Sequence, residues 1–327
     1  MRRLTVTRET FPLAREFRIA RGGKTAADVI TVTLEENGAT GRGECVPYAR
    51  YGETLDGVQN LIESRRAFLE EGHPRHGLQR AMPPGAARNA IDCALWDLEA
   101  KLTGVPVWSC AGLPEPHDAV TAFTISLDTP DAMGRAAAAA RDRSILKLKL
   151  GNAAQDLDRV AAVAAAAPEA ALIADVNEGW TIDDLQRLAP ALLTLGVTLI
   201  EQPIPASADS ALEGYRCPVP LCADESVHGL DTLTAVSARY DLVNVKLDKT
   251  GGLTGALETA RRAQELGLGV MIGCMVGTSL AMAPALLLAP LAHMIDLDGP
   301  LWLAQDRVPG LRYEGSTVHP PPPELWG

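Results

Sequence analysis

No stretch of this chain is basic enough to follow a phosphate backbone. With a formal net charge of −11 over 327 residues and a pI near 5.1, nucleic acid is excluded as a partner. The same balance still allows a small anionic substrate held by local cations. No apolar run approaches a membrane span, the nearest, 285–291, being broken by Pro284 and Pro290. The opening MRRLTVTRETF is charged and carries no apolar segment of signal-peptide length, so the expectation is a cytoplasmic protein without membrane contact. The six cysteines, Cys45, Cys93, Cys110, Cys217, Cys222 and Cys274, lack metal-type pairing and read as reduced core residues. There is no internal repeat beyond alternating strands and helices, and Pro320 to Pro323 stand without a further PxxP motif, which reads as a strap rather than a partner motif.

What the chain does carry centres on SILKLKLG at 144–151. Ile145, Lys147 and Lys149 alternate with Leu146, Leu148 and Leu150, the period of a strand with two ammonium groups on one face. Exposed edge lysines would explain this stretch alone. Three apolar runs follow, each closing on an acid: ALIAD at Asp175, VTLIE at Glu201 and VPLCAD at Asp224. Their separations, 26 and 23 residues, each hold a short strand, a helix and two loops, the rhythm of a parallel β/α barrel whose chemistry gathers at the C-terminal strand ends. Three neighbouring acids at one point repel unless a cation sits between them, and all-oxygen ligation suits Mg²⁺ first and Mn²⁺ second. DLVNVKL at 241–247 then leads into Asp248, Lys249 and two glycines. In a closed eight-stranded barrel this sixth strand faces the second, so an amine is expected on either side of the metal.

The texture before residue 118 differs. A β-hairpin is expected from Val29–Leu34 and Ala39–Cys45 around the turn at Glu36-Asn37-Gly38, then helices over 54–71 and from about Pro84 to Gly104. The predicted architecture is α/β: a modified TIM-type (β/α) barrel over 119–300 behind an α+β capping domain over 1–118, with 301–327 returning towards the cap. Barrel strands are expected at 120–127, 144–151, 269–274 and 293–297, besides those ending in the acids, with Ala-rich helices over 130–142 and 153–167.

KLK at 147–149, the acids Asp175, Glu201 and Asp224, and LDKTGG at 247–252 together resemble the enolase superfamily, muconate-lactonizing subgroup. That superfamily sets a Lys or His base beside Mg²⁺ to stabilise an ene-diolate. Within it, ARNAIDCALWDLEAK at 87–101, CADES at 222–226, GCM at 273–275 and DLDGP at 296–300 are most similar to dipeptide epimerases acting on L-Ala-D/L-Glu. The resemblance implies that Lys149 is the base on one face, Lys147 stabilises the enolate oxygen and Lys249 serves the opposite face. It also implies a first cap loop near 17–25 that selects the substrate. A neighbouring ammonium, a nearby Mg²⁺ and burial would each lower the pKa of such a lysine, leaving an amine able to take a proton.

For the substrate, Asp296 and Asp298 would hold a dipeptide α-ammonium. Arg21, with Lys24 second, would meet a glutamate side chain, and Asn177 and Glu225 would orient ligands. A homo-oligomer is left open. Muconate cycloisomerase, o-succinylbenzoate synthase and N-acylamino acid racemase share the metal and lysines, but their substrates have no free α-ammonium for DLDGP to hold. A Schiff-base lyase on a β/α barrel would use one lysine and no metal. A binding protein of the same fold would have no use for opposed amines.

Overall fold

Two long strands open the chain. In the computed structural model, which describes residues 1–327, β1 (Arg3–Ile19) and β2 (Gly22–Glu36) form an antiparallel hairpin, and β3 (Ala39–Cys45) returns through the expected turn at Asn37 and Gly38, both in the left-handed region. The register of β1 breaks between Pro12 and Phe17, consistent with the missing N–H of proline. Beyond the break, Phe17 pairs with Lys24 and Ile19 with Gly22. The stretch expected as a loop is therefore the tip of a β-hairpin. It docks on the barrel, where Arg18 N donates to Ser126 Oγ at 2.7 Å and Leu127 N to Arg18 O at 3.1 Å.

The helix expected over 54–71 is two pieces, α1 (Leu55–Glu63), capped by Thr54, and α2 (Arg66–Glu70). Ser64, at the break, turns its hydroxyl back onto Leu61 O, the local bond by which serine competes with helix continuation. After α3 (Arg75–Ala81) comes α4 (Ala86–Thr103), ended by Gly104 in the left-handed conformation as its sequence predicts. This helix lies across β2 and β3 and forms the cap core through Ala90, Ile91, Ala94, Leu95 and Leu98. The approach is close because Gly41 and Gly43 offer no side chain to it.

The second unit is a parallel sheet of eight strands in sequential order: β4 (Phe123–Ile125), β5 (Ile145–Lys149), β6 (Ala171–Asp175), β7 (Val197–Glu201), β8 (Leu221–Ala223), β9 (Leu242–Lys246), β10 (Gly269–Gly273) and β11 (Met294–Asp296). Ala122 N to Ile295 O at 2.8 Å and Leu297 N to Thr121 Oγ1 at 2.8 Å bring its first and last strands together. Only 123–125 of the expected first strand joins the sheet; Ala119–Val120 pairs instead with Thr317–Val318. Period-two alternation sorts the strands into two faces. Leu146, Leu148, Leu172, Ala174 and Ile200 join the large core shared with the outer helices. Ala122, Ile173, Leu199, Cys222 and Met271 form a small separate cluster. Asp175, Glu201 and Asp224 each stand two residues beyond a member of that cluster, so the acids share its face at the C-terminal strand ends.

Buried polar bonds fasten cap to barrel. Asn89 Nδ2 donates to Asp248 Oδ1 at 2.7 Å and Arg88 Nη2 to Thr250 O at 2.7 Å, which places the Arg-Asn pair of ARNAIDC at the seam. Glu44 of β3 accepts from Thr278 and from Arg307, whose guanidinium also reaches Glu9 and Thr31. The tail ends on the cap, with Trp326 Nε1 on Cys93 O and Gly327 N on Asp97 Oδ1. No helix is long and apolar enough to cross a membrane.

A Cβ on Gly43 would lie 2.2 Å from Ala90 O and 2.7 Å from Ala94 N, both backbone atoms of α4. Gly43→Ala is expected to destabilise the protein by about 2 kcal/mol in urea unfolding, the cost of overpacking a tight contact. An unchanged midpoint would show that the strand and helix separate freely.

Candidate active site

Between the hairpin tip and the C-terminal ends of the barrel strands lies a cavity of about 490 Å³, lined by residues from both units. Lys147 and Lys149 project into it from β5, which fulfils the expected alternation; both are buried, so the edge-strand alternative does not apply. Lys147 Nζ lies 2.7 Å from Glu201 Oε2, 2.7 Å from Asp296 Oδ2 and 3.1 Å from Asp175 Oδ2. Lys149 Nζ donates to Asp175 Oδ2 at 2.5 Å.

The opposite side differs from the sequence reading. Lys249 is not at a strand end but in the single helical turn Leu247–Thr250, where its ammonium donates to Asp224 Oδ1, Asp224 O and Asn244 O at 2.6, 2.6 and 2.9 Å. It does not line the cavity. Lys246, the last residue of β9, does; its ammonium lies 2.7 Å from Asp224 Oδ2. The sequence held a signal for this. Leu242, Asn244 and Lys246 alternate with Val243 and Val245, so strand parity turns Lys246 inward along with Asn244, which donates to Glu201 Oε1 at 2.8 Å. Lys249, three residues on, lies beyond that alternation.

The three acids are buried on successive strands as expected, but they do not enclose one point: no group of three or more His, Cys, Asp or Glu stands close enough to hold a metal ion. The Lys147 ammonium lies among Asp175, Glu201 and Asp296, while Asp224 is turned to Lys246 and Lys249. Burial would raise Asp175, but Lys147 and Lys149 outweigh it and hold the carboxyl at about 2. Burial and the neighbouring Asp175 push Glu201 up to about 7. Burial works against the charge of Lys147 and Lys246, yet the carboxylates around them prevail and raise both well above the ordinary lysine value. Lys249 is lowered, by burial first; for Lys147 and Lys246 a lowered amine pKa requires a cation that occupies these acids instead. Unpartnered oxygens fit that requirement: Asn177 Oδ1 and Glu225 Oε2 are buried without a hydrogen bond, and Glu201 Oε2 faces Lys147 without hydrogen-bond alignment. The donor set is all oxygen, which suits a hard divalent ion.

Two buried polar groups hold the strand ends in place. Gln202 accepts from Asp224 N at 2.9 Å and Ser226 N at 3.1 Å, while its amide donates to Ile204 O, Ser226 Oγ and Tyr240 Oη. Asp156 accepts from Gly151 N, Asn152 N and Trp180 Nε1, fixing the turn after β5.

Asp296 and Asp298 share a face at the end of β11 and line the cavity. Asp298 Oδ2 is engaged by Thr124 N at 2.7 Å and by Trp302 Nε1, and burial together with Asp296 pushes it up to about 6. Asp296 Oδ1 is buried with no partner. Both cap cations also line the cavity. Arg21 donates to Asn177 O at 2.8 Å, to Glu225 Oε1 at 2.6 Å and to Glu178 Oε2 at 3.2 Å. Lys24 is pulled down to about 8 by burial. Tyr48, Arg50 and Tyr51 of the cap, which the sequence reading passed over, complete the rim. Their short turn carries no periodic signal.

Comparison with known proteins agrees with this fold. The model of the mandelate racemase/muconate lactonizing enzyme N-terminal domain matches residues 1–112, and that of the enolase C-terminal domain-like family matches 132–323. The chain belongs to the enolase superfamily. Among its superfamily relatives it is 44% identical to L-Ala-D/L-Glu epimerase of Escherichia coli K12, over 98% of this chain and all of that one. It is 43% identical to an N-acetyl-D-glutamate racemase of a Pseudoalteromonas species, over 91% and 95% of the two chains. A solved enolase family member from Agrobacterium tumefaciens, described as homologous to dipeptide epimerases and holding sodium and L-Ala-L-Glu, superposes with a TM-score of 0.98 at 51% identity over the full length of both. Other superfamily dipeptide epimerases of solved structure are complexed with Mg and a dipeptide.

Gln202→Leu removes the acceptor for the buried N–H groups of Asp224 and Ser226. The substitution is expected to cost about 3 kcal/mol in urea unfolding, the scale of leaving such donors unpaired. A loss below about 0.5 kcal/mol would show that the strand ends do not depend on it.

Proposed function

We propose that this protein epimerises dipeptides at the α-carbon of the C-terminal residue, with L-Ala-D/L-Glu as the leading substrate and Mg²⁺ as cofactor. The observation that carries the reading is the placement of lysines on the second and sixth of eight sequential strands, facing one cavity from opposite sides with the carboxylates between them. A single-lysine Schiff-base lyase needs neither the second amine nor the acids.

An α-proton beside a carboxylate is weakly acidic because its removal builds a second negative charge next to the first. When bound by Asp175, Glu201 and Asp224, Mg²⁺ supplies positive charge to that carboxylate and lowers the barrier electrostatically. The residues of the chain do the rest. The ammonium of Lys147, aimed at the metal-side acids, donates a hydrogen bond to the carboxylate oxygen on which charge develops. Lys149, as free amine, takes the α-proton on one face, and the ammonium of Lys246 returns a proton to the other, so the product is the epimer. Lys249 anchors Asp224 through both a carboxylate oxygen and the carbonyl. Asn177 and Glu225 stand beside the site and orient Arg21.

Asp296 and Asp298 are assigned to the α-ammonium of the first residue, since Asp296 Oδ1 is buried and still lacks a donor. Arg21 is assigned to the side-chain carboxylate of glutamate, with Lys24 the second cation nearby. The Pseudoalteromonas relative gives weight to one other reading, racemisation of N-acetylglutamate. That substrate presents an amide where a dipeptide presents an ammonium, so it would bring no cation to the two acids, of which Asp296 meets Lys147 through Oδ2 and leaves Oδ1 without a donor.

A proton NMR time course of L-Ala-L-Glu in D₂O with Mg²⁺ is expected to show loss of the glutamate α-proton and growth of L-Ala-D-Glu, both stopped by EDTA. Exchange on N-acetylglutamate with none on the dipeptide would replace the proposal by the racemase reading. Lys246→Ala is expected to lower epimerisation by about 10³-fold, the scale of an acid–base group, while keeping exchange on the isomer whose proton faces Lys149. Lys249→Ala is expected to slow exchange on both isomers alike. The reverse pattern would return the second base to Lys249.

A further inference from the structure

At the mouth of the cavity four charged groups meet: Arg21 from the hairpin tip, Arg50 from the cap, and Glu178 and Glu225 from the barrel loops. Glu178 binds the two arginines unequally. Arg50 grips it through two parallel bonds, Nε to Oε2 and Nη2 to Oε1, both 2.8 Å. Arg21 touches it once, at 3.2 Å. The backbone N–H of Ala206 also donates to Glu178 at 2.9 Å, and these donors hold its carboxyl below the usual range despite burial, with Arg50 foremost among them. Glu178 is thus a fixed, ionised carboxylate beside the guanidinium assigned above to the substrate.

Without a counter-charge of its own, this carboxylate would compete for Arg21 with any acidic side chain that entered. A paired guanidinium relieves the competition, because the fork of an arginine matches both oxygens of a carboxylate and consumes its charge locally. We infer that Arg50 is a specificity-determining residue: by holding Glu178, it leaves Glu225 as the one close carboxylate partner of Arg21, so that an acidic dipeptide side chain meets one competing carboxylate there rather than two. The inference rests on the acidic-dipeptide reading of the site. Arg50 acts through Glu178 and Arg21, as a positioning residue. The chemistry it favours is a second anionic group on the substrate, one side chain's length from the α-carbon.

The pair offers a test in which a charge effect and a merely structural clasp predict opposite results. Arg50→Gln is expected to raise the KM for L-Ala-L-Glu about tenfold, the equivalent of one competing ion pair, with the loss in KM rather than kcat. Arg50→Gln combined with Glu178→Gln is expected to recover a KM within about threefold of the unmodified protein, because the competing carboxylate is gone. Arg50→Lys is expected to lie between, since an ammonium neutralises without the fork. If the pair only fastens cap to barrel, the double variant will be no better than the single one, and that result overturns the inference. An Arg50→Gln KM equal to that of the unmodified protein overturns it as well. Absence of any α-proton exchange on L-Ala-L-Glu by the unmodified protein would instead overturn the acidic-dipeptide reading and this inference with it. Exchange with a failed rescue removes the inference alone.

Discussion

The constraint on which the structure depends is the burial of charge. Four lysines and six carboxylates, counting Glu225, Asp296 and Asp298, lie under the cap with little or no access to water. Isolated ions in such a place would be very costly, so each must be met by an opposite charge or a hydrogen-bond donor. The parallel barrel makes this feasible because its strands bring side chains from distant parts of the sequence to one end of one sheet. Lys147 and Asp296 are in contact although 149 residues separate them. The carboxylates outnumber the ammonium groups, and Arg21 of the cap supplies a further positive charge to Glu225.

Holding those charges requires a rigid surround, and much of the remaining polar chemistry provides it. Gln202, Asp156 and Asn244 fix strand ends and turns; Asn89, Arg88, Glu44 and Arg307 tie the cap to the barrel. The apolar layers beneath and around the site keep water from the interior. The cap adds the hairpin tip with Arg21 and Lys24 and the turn with Tyr48 and Arg50 to a cavity whose other wall is the barrel strand ends.

Charge also accounts for the clearest difference between expected and observed site geometry. Three acids at successive strand ends were expected around one point. They stand on one face, but the ammonium groups of Lys147, Lys246 and Lys249 have drawn them towards different partners. Lysine side chains are long and flexible, and in a buried cluster of fixed charge they move to whichever anion is nearest.

The amino-acid sequence by itself determined the barrel, because strand alternation and the spacing of the acids are local and periodic; it also determined the face on which Lys147, Lys149, Asp175, Glu201 and Asp224 stand, since parity along a strand decides that. The same parity points to Lys246, whereas Lys249, in the helical turn that follows, lies outside the cavity lining. The β2–β3 hairpin is legible from the Asn37-Gly38 turn, whereas Gly22-Gly23 beside Arg21 suits a loop as well as a hairpin tip, and only the pairing of Phe17 with Lys24 distinguishes them. Only the tertiary structure decided which groups meet across the cavity: Arg21 with Glu225, Arg50 with Glu178, Lys147 with Asp296. Those contacts join elements far apart in the chain, and their geometry depends on how cap and barrel pack, which no local pattern encodes.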